Sequence, residues 1–235
     1  MTDFVLVHGA WHGAWCWRKL LPLLREQGLR ACAVSLTGLG DRAHQLNPDI
    51  RLSTHIDDVI AVIESEELTD LILVGHSYGG LLATGVADRL PERIRRLVYL
   101  DAIVPHSGEC WGEFHDPVRR EQNRVHISQH GSLPVPDPVI YALQPDDEAW
   151  VRRRLVPQPG GVYDDTLTFD TRRVSRLPRT FVDCNQPAVP GVAKSRIRVR
   201  AEPGWQVLEM ATGHDAMISA PEALAAILCA LATGS

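Results

Sequence analysis

Several features that mark other protein classes are missing from this chain of 235 residues. No apolar run approaches the roughly 18 residues of a membrane span, so we expect no membrane partner. No basic region followed by an apolar stretch opens the chain, so we expect no secretory signal. The net charge of −5 argues against nucleic acid or an anionic membrane surface as a partner.

Cysteine pairs and cofactor motifs are also missing. The glycine-rich stretch 37–42 is not followed by the Lys-Ser/Thr of a phosphate-binding loop. The five cysteines are odd in number, widely spaced and without a C-x-x-C pair: Cys16, Cys32, Cys110, Cys184 and Cys229. This pattern is typical of buried thiols in a reducing compartment and argues against a disulfide framework or a zinc site. We therefore predict a cytoplasmic protein with no cofactor and no metal.

Apolar strand patterns alternate with helical patterns through most of the chain, and a hydrophobic content of 45% is enough for a core. The predicted strands are Phe4–Val7, Arg30–Leu36, Leu71–Val74, Arg96–Leu100, Arg179–Cys184 and Gln206–Met210. The predicted helices include 15–27, Ser53–Glu66, a segment starting near Leu81, 190–201 and Pro221–Leu231. This alternation predicts an α/β fold with a mostly parallel, doubly wound sheet and ligand chemistry outside the carboxyl ends of its strands.

The alternation breaks down between residues 103 and 177, which contain eight prolines and one clear helical pattern, Asp146–Arg154. The segment is too long for a loop and too irregular for sheet, so we interpret it as an inserted cap over the active site. A separate domain is not expected, because the segment lacks a periodic core of its own. We predict one structural domain, with residues 1–102 and 178–235 forming its core.

Residues 75–79, Gly-His-Ser-Tyr-Gly, fit the pattern G-x-S-x-G between an apolar strand and an apolar helical pattern. Strand, sharp turn and helix in that order are the context of a nucleophile elbow. We expect Ser77 to adopt a strained backbone conformation, with Gly75 and Gly79 leaving room for strand and helix to approach. The alternative is a chance Gly-Ser-Gly turn, which the flanking elements disfavour.

A serine nucleophile needs a base that takes its proton and an acid that orients the base. His214 is the candidate base, because it follows the last predicted strand. His8 and His76 are interpreted as packing or supporting residues, and the remaining histidines as surface residues. Asp101 and Asp183 are the candidate acids. Asp101 is favoured because it ends a strand beside the nucleophile strand, whereas Asp183 lies within its own strand.

The loop after the first strand, residues 8–15, reads His-Gly-Ala-Trp-His-Gly-Ala-Trp. A glycine-containing loop in this place can present a backbone N–H group to a developing oxyanion. The alternative is that its glycines only permit a tight loop that tryptophans pack down, and for Trp15 and Trp17 we favour that interpretation.

The whole chain resembles the α/β-hydrolase superfamily. Phe4–Trp17, Gly75–Gly80 and Gly213–Met217 resemble the hydroxynitrile lyase and plant methylesterase family and its small bacterial esterase relatives, with residues 8–15 as the most specific match. The resemblance implies the α/β-hydrolase fold and an oxyanion hole formed by the backbone N–H groups of Ala10 and Tyr78.

The chain departs from that family at the acid, whose usual position aligns with Gln186. Some haloalkane dehalogenases instead place their acid after the strand that follows the elbow, and Asp101, 24 residues after Ser77, matches that position. Asp101 is therefore the predicted acid, with Asp183 as the alternative.

The resemblance implies a serine hydrolase that cleaves a carboxylic ester, such as a methyl ester or carbamate of a small aromatic or heterocyclic compound. Cyanohydrin lyases of this family carry a threonine in the place of Gly9 and a lysine shortly after the base, where this chain has Asp215, Ala216 and Met217. A lyase is therefore disfavoured, and a non-catalytic small-molecule receptor is the other alternative. The predicted substrate contacts are Gly9, Trp11, Trp111, Trp150 and Met217. The sequence leaves both a monomer and a homodimer open.

Overall fold

The computed structural model describes residues 3–234. Within them the strands are β1 (Asp3–Val7), β2 (Arg30–Val34), β3 (Leu71–His76), β4 (Ile94–Leu100), β5 (Ser132–Leu133), β6 (Gln158–Pro159), β7 (Arg179–Cys184) and β8 (Trp205–Met210). The α-helices are α1 (Leu20–Glu26), α2 (Leu52–Ser65), α3 (Gly79–Arg89), α4 (Pro117–His130), α5 (Pro145–Arg152), α6 (Thr171–Ser175), α7 (Ala193–Ala201), α8 (Ala216–Ser219) and α9 (Pro221–Thr233).

Six strands form one sheet in the order β2-β1-β3-β4-β7-β8, and every neighbouring pair is parallel. The first strand, β1, lies second in this order, with β2 as the edge strand on one side and β3, β4, β7 and β8 following in turn on the other. The predicted parallel, doubly wound sheet is thus confirmed. Because all six strands run the same way, the ends of β1, β3, β4 and β8 meet at one edge of the sheet.

Both faces of the sheet are covered by apolar side chains. Along β3, Leu71 and Leu73 belong to one buried cluster with residues of α2 and α3, whereas Ile72 and Val74 belong to another with residues of α1 and α9. Successive side chains of a strand point to opposite faces, so a strand buried on both sides must be apolar throughout. This is why the core strands are continuous apolar runs in the sequence.

The predicted core elements are confirmed, with shifts at their ends. The strand predicted to reach Leu36 ends at Val34. The helix predicted at 15–27 is divided into a 3-10 turn, Ala14–Trp17, and α1. Pro22 is the third residue of α1, so its missing N–H group falls in the first turn, where no intrahelical partner exists. Pro22 is therefore compatible with this helix, because it lies in the first turn.

The segment 103–177 contains more regular structure than predicted. The predicted helix is present as α5, but α4 and α6 were not predicted, and the antiparallel pair β5–β6 contradicts the expectation of no sheet. Helix α4 carries few apolar residues, so it lacks the stripe on which the prediction depended. Its ends do carry signals: the Asp116 side chain accepts a hydrogen bond from the Arg119 N–H, Pro117 is the first helical residue, and Gly131 follows the last at φ 70°.

No helix within residues 3–234 combines the length and the apolar content that crossing a membrane requires.

Candidate active site

Ser77 lies in the turn between β3 and α3, at the edge of the sheet where the strands end. Its φ is 54°, in the left-handed region that non-glycine residues rarely adopt. The flanking chain holds this conformation: the Ser77 N–H donates to the Leu100 carbonyl at 3.2 Å, and the Ile103 N–H donates to the Ser77 carbonyl at 2.9 Å. The strained backbone that the G-x-S-x-G motif predicts is present.

Glycines allow the backbone segments around Ser77 to approach closely. A Cβ atom on Gly75 would collide with the carbonyl group of Gly79. A Cβ atom on Gly79 would lie 2.8 Å from the Val7 carbonyl oxygen, and one on Gly9 would lie 2.8 Å from the Ser77 Cβ atom. The prediction that glycine at positions 75 and 79 allows a close approach of backbone segments is confirmed, and the same holds for glycine at position 9.

His214 and Asp101 form a buried pair beside Ser77. His214 follows β8, Asp101 follows β4, and the Nδ1 atom of His214 lies 2.6 Å from the Oδ2 atom of Asp101. Asp101 is fully buried and has φ 41°, so, like Ser77, it is a non-glycine residue in the left-handed region. Ser77 and His214 line the same cavity. The three predicted catalytic residues therefore come together from three strand ends.

Asp183, the alternative acid, has different partners. It lies within β7, as the sequence indicated, and its carboxylate accepts hydrogen bonds from Arg196 at 2.6 Å and from Arg200 at 2.6 Å. Gln186, at the family's usual acid position, is exposed. The structure thus brings Asp101 to His214 and turns Asp183 toward α7.

The residues predicted to form the oxyanion hole lie on the two sides of Ser77. Ala10 is in the loop after β1 and lines the cavity. Tyr78 directly precedes α3, and its side chain is fully buried, with the hydroxyl donating to His55 Nδ1 at 3.0 Å. The side chain of Tyr78 is therefore anchored in the core, and only its backbone is available for chemistry.

The cavity has a volume of about 580 Å³, and most of its wall is apolar. Three of the predicted substrate contacts, Gly9, Trp11 and Trp111, line it, and the rings of the two tryptophans meet edge to face with centroids 5.6 Å apart. Phe114 and Tyr141, which the sequence analysis did not single out, also line it.

Two predicted substrate contacts lie elsewhere. Trp150 packs edge-on against Trp15, with ring centroids 5.1 Å apart, and under the guanidinium group of Arg154. Met217 is fully buried in an apolar cluster. Neither is among the residues that line the cavity. The sequence shows that a side chain is apolar but not which neighbour covers it.

A second buried acid–base pair was missed by the sequence analysis. The Nε2 atom of His12 lies 3.2 Å from the Oδ2 atom of Asp215, and its Nδ1 atom lies 2.7 Å from the Ala10 carbonyl oxygen. Both ring nitrogens face acceptors, an arrangement that favours the protonated ring beside an ionised Asp215. Burial lowers the pKa of His12, but the Asp215 carboxylate outweighs burial, so that the pKa is raised.

The contact with His12 also changes the pKa of Asp215. Burial alone would raise the pKa of Asp215, but the neighbouring His12 outweighs this and lowers it to about 2. The interpretation of the remaining histidines as surface residues was wrong for His12 and also for His55, which is fully buried. One feature of the sequence could have indicated that His12 belongs to the site: it lies in the same loop as Ala10.

His76 and His8 support the two loops, as predicted. His76 lies 3.0 Å from the backbone carbonyl of His214, and burial together with the nearby His214 holds the pKa of His76 well below its usual value. The Leu36 N–H donates to His8 Nε2 at 3.2 Å, and the His8 Nδ1 atom lies 2.7 Å from the Gly9 carbonyl. Both rings are neutral supports for backbone groups of the site.

Potential metal ligands are present at one place in the described part of the chain. One ligand atom from each of His76, His214 and Asp215 lies within 4.8 Å of the other two. Hydrogen bonds already account for this arrangement, because His214 pairs with Asp101, and His12 pairs with Asp215. We propose no metal at this cluster.

Comparisons with known proteins show the family of this chain. A model of the alpha/beta hydrolase family matches residues 4–227. A carbendazim hydrolyzing esterase from Nocardioides sp. is 39% identical over 98% of this chain and 100% of its own length. Methylesterase 1 of Arabidopsis thaliana is 29% identical over 94% of this chain and 92% of its own.

Solved structures show the same fold. An extracellular alpha/beta-hydrolase from a Paenibacillus species superposes with a TM-score of 0.84 over 100% of both chains, at 21% identity. A methylesterase from Arabidopsis superposes with a TM-score of 0.77 over 98% of both chains, at 25% identity.

Proposed function

Because the chain belongs to the alpha/beta hydrolase family, we propose that it is a serine esterase in which Ser77, His214 and Asp101 carry out the reaction. The observation that carries this proposal is the elbow serine that shares a cavity with a histidine paired to a buried carboxylate. A nucleophile, a base and an acid that orients the base are the elements of acyl transfer.

In the first half of the reaction, the Ser77 hydroxyl attacks the ester carbonyl carbon and His214 Nε2 takes its proton. Asp101, on the Nδ1 side of the ring, stabilises the imidazolium that forms. The carbonyl oxygen becomes an oxyanion and accepts hydrogen bonds from the N–H groups of Ala10 and Tyr78, each worth about 3 kcal/mol. The bond to the leaving oxygen then breaks, and His214 protonates the departing alcohol.

In the second half, a water molecule loses a proton to His214 and attacks the acyl-enzyme. The tetrahedral intermediate collapses, the bond to Ser77 breaks, and His214 returns the proton to the serine oxygen. An acid leaves, or, from a carbamate, a carbamic acid. Apart from the substrate and this water molecule, these steps use side chains and backbone groups of this chain.

We propose a methyl ester or carbamate of a small aromatic or heterocyclic compound as substrate. The apolar cavity wall with Trp11, Trp111 and Phe114 suits a flat apolar ring. The Trp11 Nε1 and Tyr141 hydroxyl groups are buried and have no hydrogen-bond partner among residues 3–234. Neither donor is exposed to the cavity, so an acceptor atom of the substrate, such as a ring nitrogen, can reach one only when that side chain shifts.

The names of the relatives agree with this class. One relative is named for hydrolysis of carbendazim, a carbamate, and several others are named methylesterases. The alternatives of a cyanohydrin lyase and a receptor are not favoured, since the chain has no lysine directly after His214 and its relatives are esterases.

We propose that residues 103–177 act as a cap inserted into a core of residues 1–102 and 178–235. Trp111, Phe114 and Tyr141 come from this segment and line the cavity that contains Ser77. The five cysteines are free thiols, which supports the proposal of a cytoplasmic location.

Intact-mass labelling with a fluorophosphonate tests the proposed chemistry. We expect one adduct on the wild type, mapped to Ser77 and absent from Ser77→Ala and His214→Ala. A panel of methyl esters and methyl carbamates with aromatic or aliphatic acyl parts then tests the substrate class. A wild type that is folded by circular dichroism but neither labels nor cleaves any member of the panel contradicts the proposal, and faster cleavage of charged aliphatic esters contradicts the aromatic preference.

A further inference from the structure

Asp101 has a second partner besides His214. The Oδ2 atom of Asp101 faces His214, and its Oδ1 atom accepts a hydrogen bond from Arg196 Nη2 at 2.5 Å. Arg196 lies on α7, and its side chain is only 12% exposed. The two oxygens of the carboxylate are therefore divided between a base on one side and a cation on the other.

The guanidinium group is itself held on every side. Its Nε atom donates to Asp183 at 2.6 Å, Nη1 donates to the Val189 carbonyl at 2.7 Å, and Nη2 also donates to the Cys184 carbonyl at 3.1 Å. A planar group with four such acceptors has one allowed orientation. The position of Asp101 Oδ1 is therefore fixed from α7, which in turn fixes the direction in which Oδ2 points.

Asp183 helps to position Asp101 through its contact with Arg196. Its two oxygens accept from Arg196 and from Arg200, and it is nearly as buried as Asp101. Without Asp183, the guanidinium group of Arg196 would lose a charge-assisted hydrogen bond and keep its hydrogen bonds to two backbone carbonyl groups. The second acid thus stabilises the cation that holds the first.

We propose that Arg196 is a positioning residue, which holds the Asp101 carboxylate toward His214 and moderates its negative charge, and that Asp183 acts through Arg196. This inference rests on the proposed roles of Asp101 and His214. Without the arginine, Asp101 can rotate away from the base, and a misplacement of about 1 Å can cost about 100-fold in rate. Without the nearby positive charge, the protonated form of the base is also favoured, so that the enzyme needs a higher pH to become active.

Other charged or titratable groups near the pair bear on this pH effect. They are His76, Cys184, Asp215 and His12, with Arg200 and Glu209 beyond Asp183. Burial raises the pKa of the Cys184 thiol, so it stays neutral, and His76 stays neutral for the reason given above. Removal of Arg196 therefore leaves an excess of negative charge around His214.

The test compares four variants with p-nitrophenyl acetate as the substrate: Arg196→Met, Arg196→Lys, Asp183→Asn and Arg200→Met. Arg200→Met removes the same charge from the same helix, one turn further on, without contact to Asp101. For Arg196→Met we expect kcat per active site to fall at least about 10-fold with little change in KM, and the acidic limb of kcat/KM to move up by roughly one pH unit. Arg196→Lys recovers part of the loss, Asp183→Asn shows a smaller loss of the same kind, and Arg200→Met leaves both quantities near the wild type.

Titration of active sites with fluorophosphonate separates this effect from a loss of folded protein. If Arg196→Met does not fold, Arg196→Lys and Asp183→Asn still test the inference. A wild-type acidic limb and a wild-type kcat in the folded Arg196 variants would overturn the inference, as would an equal effect of Arg200→Met. A wild type without any turnover or labelling would instead contradict the proposed function.

Discussion

The Nε2 atom of His12 lies 3.2 Å from the Oδ2 atom of Asp215, and this buried ion pair joins two loops that are about 200 residues apart in the chain. His12 belongs to the loop after β1, where it also bonds to the carbonyl of Ala10. Asp215 directly follows His214. The pair therefore connects the loop of the proposed oxyanion hole to the loop of the proposed base.

Breaking this pair should destabilise the protein strongly. In Asp215→Asn, the carboxylate that raises the pKa of His12 is gone, so burial favours the neutral ring and the charge-assisted hydrogen bond is lost, at a cost of about 1.5–3 kcal/mol. Urea unfolding at neutral pH measures this loss. Glu66→Gln is the matched control, because it breaks an exposed pair with Arg30 and should change the unfolding free energy far less. Equal effects of the two substitutions would contradict a structural role for the pair.

The contribution of the pair should depend on pH in a defined direction. The pKa of Asp215 is lowered to about 2 in the folded state, so its ionised form contributes stability above the ordinary pKa of 3.8, and this contribution is lost as the pH falls toward 2. The pKa of His12 is raised, so its contribution is present below the ordinary value of 6.5 and is lost as the pH rises through the folded value. We expect the stability difference between wild type and Asp215→Asn to shrink between about pH 4 and pH 2. A constant difference over this range, measured by urea unfolding, would show that Asp215 is not ionised in the fold.

The assignment of the acid has a direct kinetic test. Asp101→Asn keeps the shape of the side chain but removes the charge that faces His214, and the comparable change in a serine protease lowers kcat by about 10⁴-fold. Asp183→Asn should lower kcat much less, since Asp183 reaches the base only through Arg196. Steady-state rates with p-nitrophenyl acetate decide between the two. If Asp183→Asn abolishes turnover and Asp101→Asn does not, the assignment is wrong.

Much of this site is predictable from short stretches of sequence, because it depends on contacts between residues that are close together in the chain. The elbow depends on glycines next to Ser77, and the core strands depend on apolar runs, so both were predicted with small errors at the ends. Helix α4 was missed because its apolar residues are few and only its capping residues mark it. The pairs His12–Asp215 and Asp101–Arg196 join residues far apart in the chain, and no local pattern records which ionisable side chains meet. The contact of Trp150 with Trp15 is not predictable for the same reason, since it depends on how two distant segments pack.

Gly9 should tolerate no larger residue. In Gly9→Ala the added Cβ atom would lie 2.8 Å from the Ser77 Cβ atom and 2.9 Å from His76 Nδ1, so the nucleophile or the loop must move. We expect a loss of stability of about 1–3 kcal/mol, measured by thermal unfolding, and a loss of fluorophosphonate labelling rate at Ser77. Gly191→Ala is the control for stability, because nothing lies within 4 Å of its added Cβ atom. A Gly9→Ala variant with wild-type stability and labelling would show that the loop has more freedom than these distances allow.

Tyr141 should distinguish substrates by their hydrogen-bond acceptors. Its ring lies parallel to His214, with centroids 6.1 Å apart, and its hydroxyl is buried without a partner among the described residues. Tyr141→Phe removes this donor and keeps the ring, so the wall of the cavity is preserved. We expect kcat/KM for a methyl carbamate of a nitrogen heterocycle to fall about 10-fold, corresponding to about 1.4 kcal/mol for one hydrogen bond.

The matched measurement uses the same carbamate on a carbocyclic ring of equal size, which offers no ring acceptor. For that substrate we expect Tyr141→Phe and the wild type to have equal kcat/KM, because neither has a hydrogen bond to lose. An equal loss on both substrates would mean that Tyr141 serves the reaction through the position of His214 and not through the ring of the substrate. An unchanged rate on both would mean that its hydroxyl does not contact the substrate, and the preference for a heterocycle would then rest on the apolar wall alone.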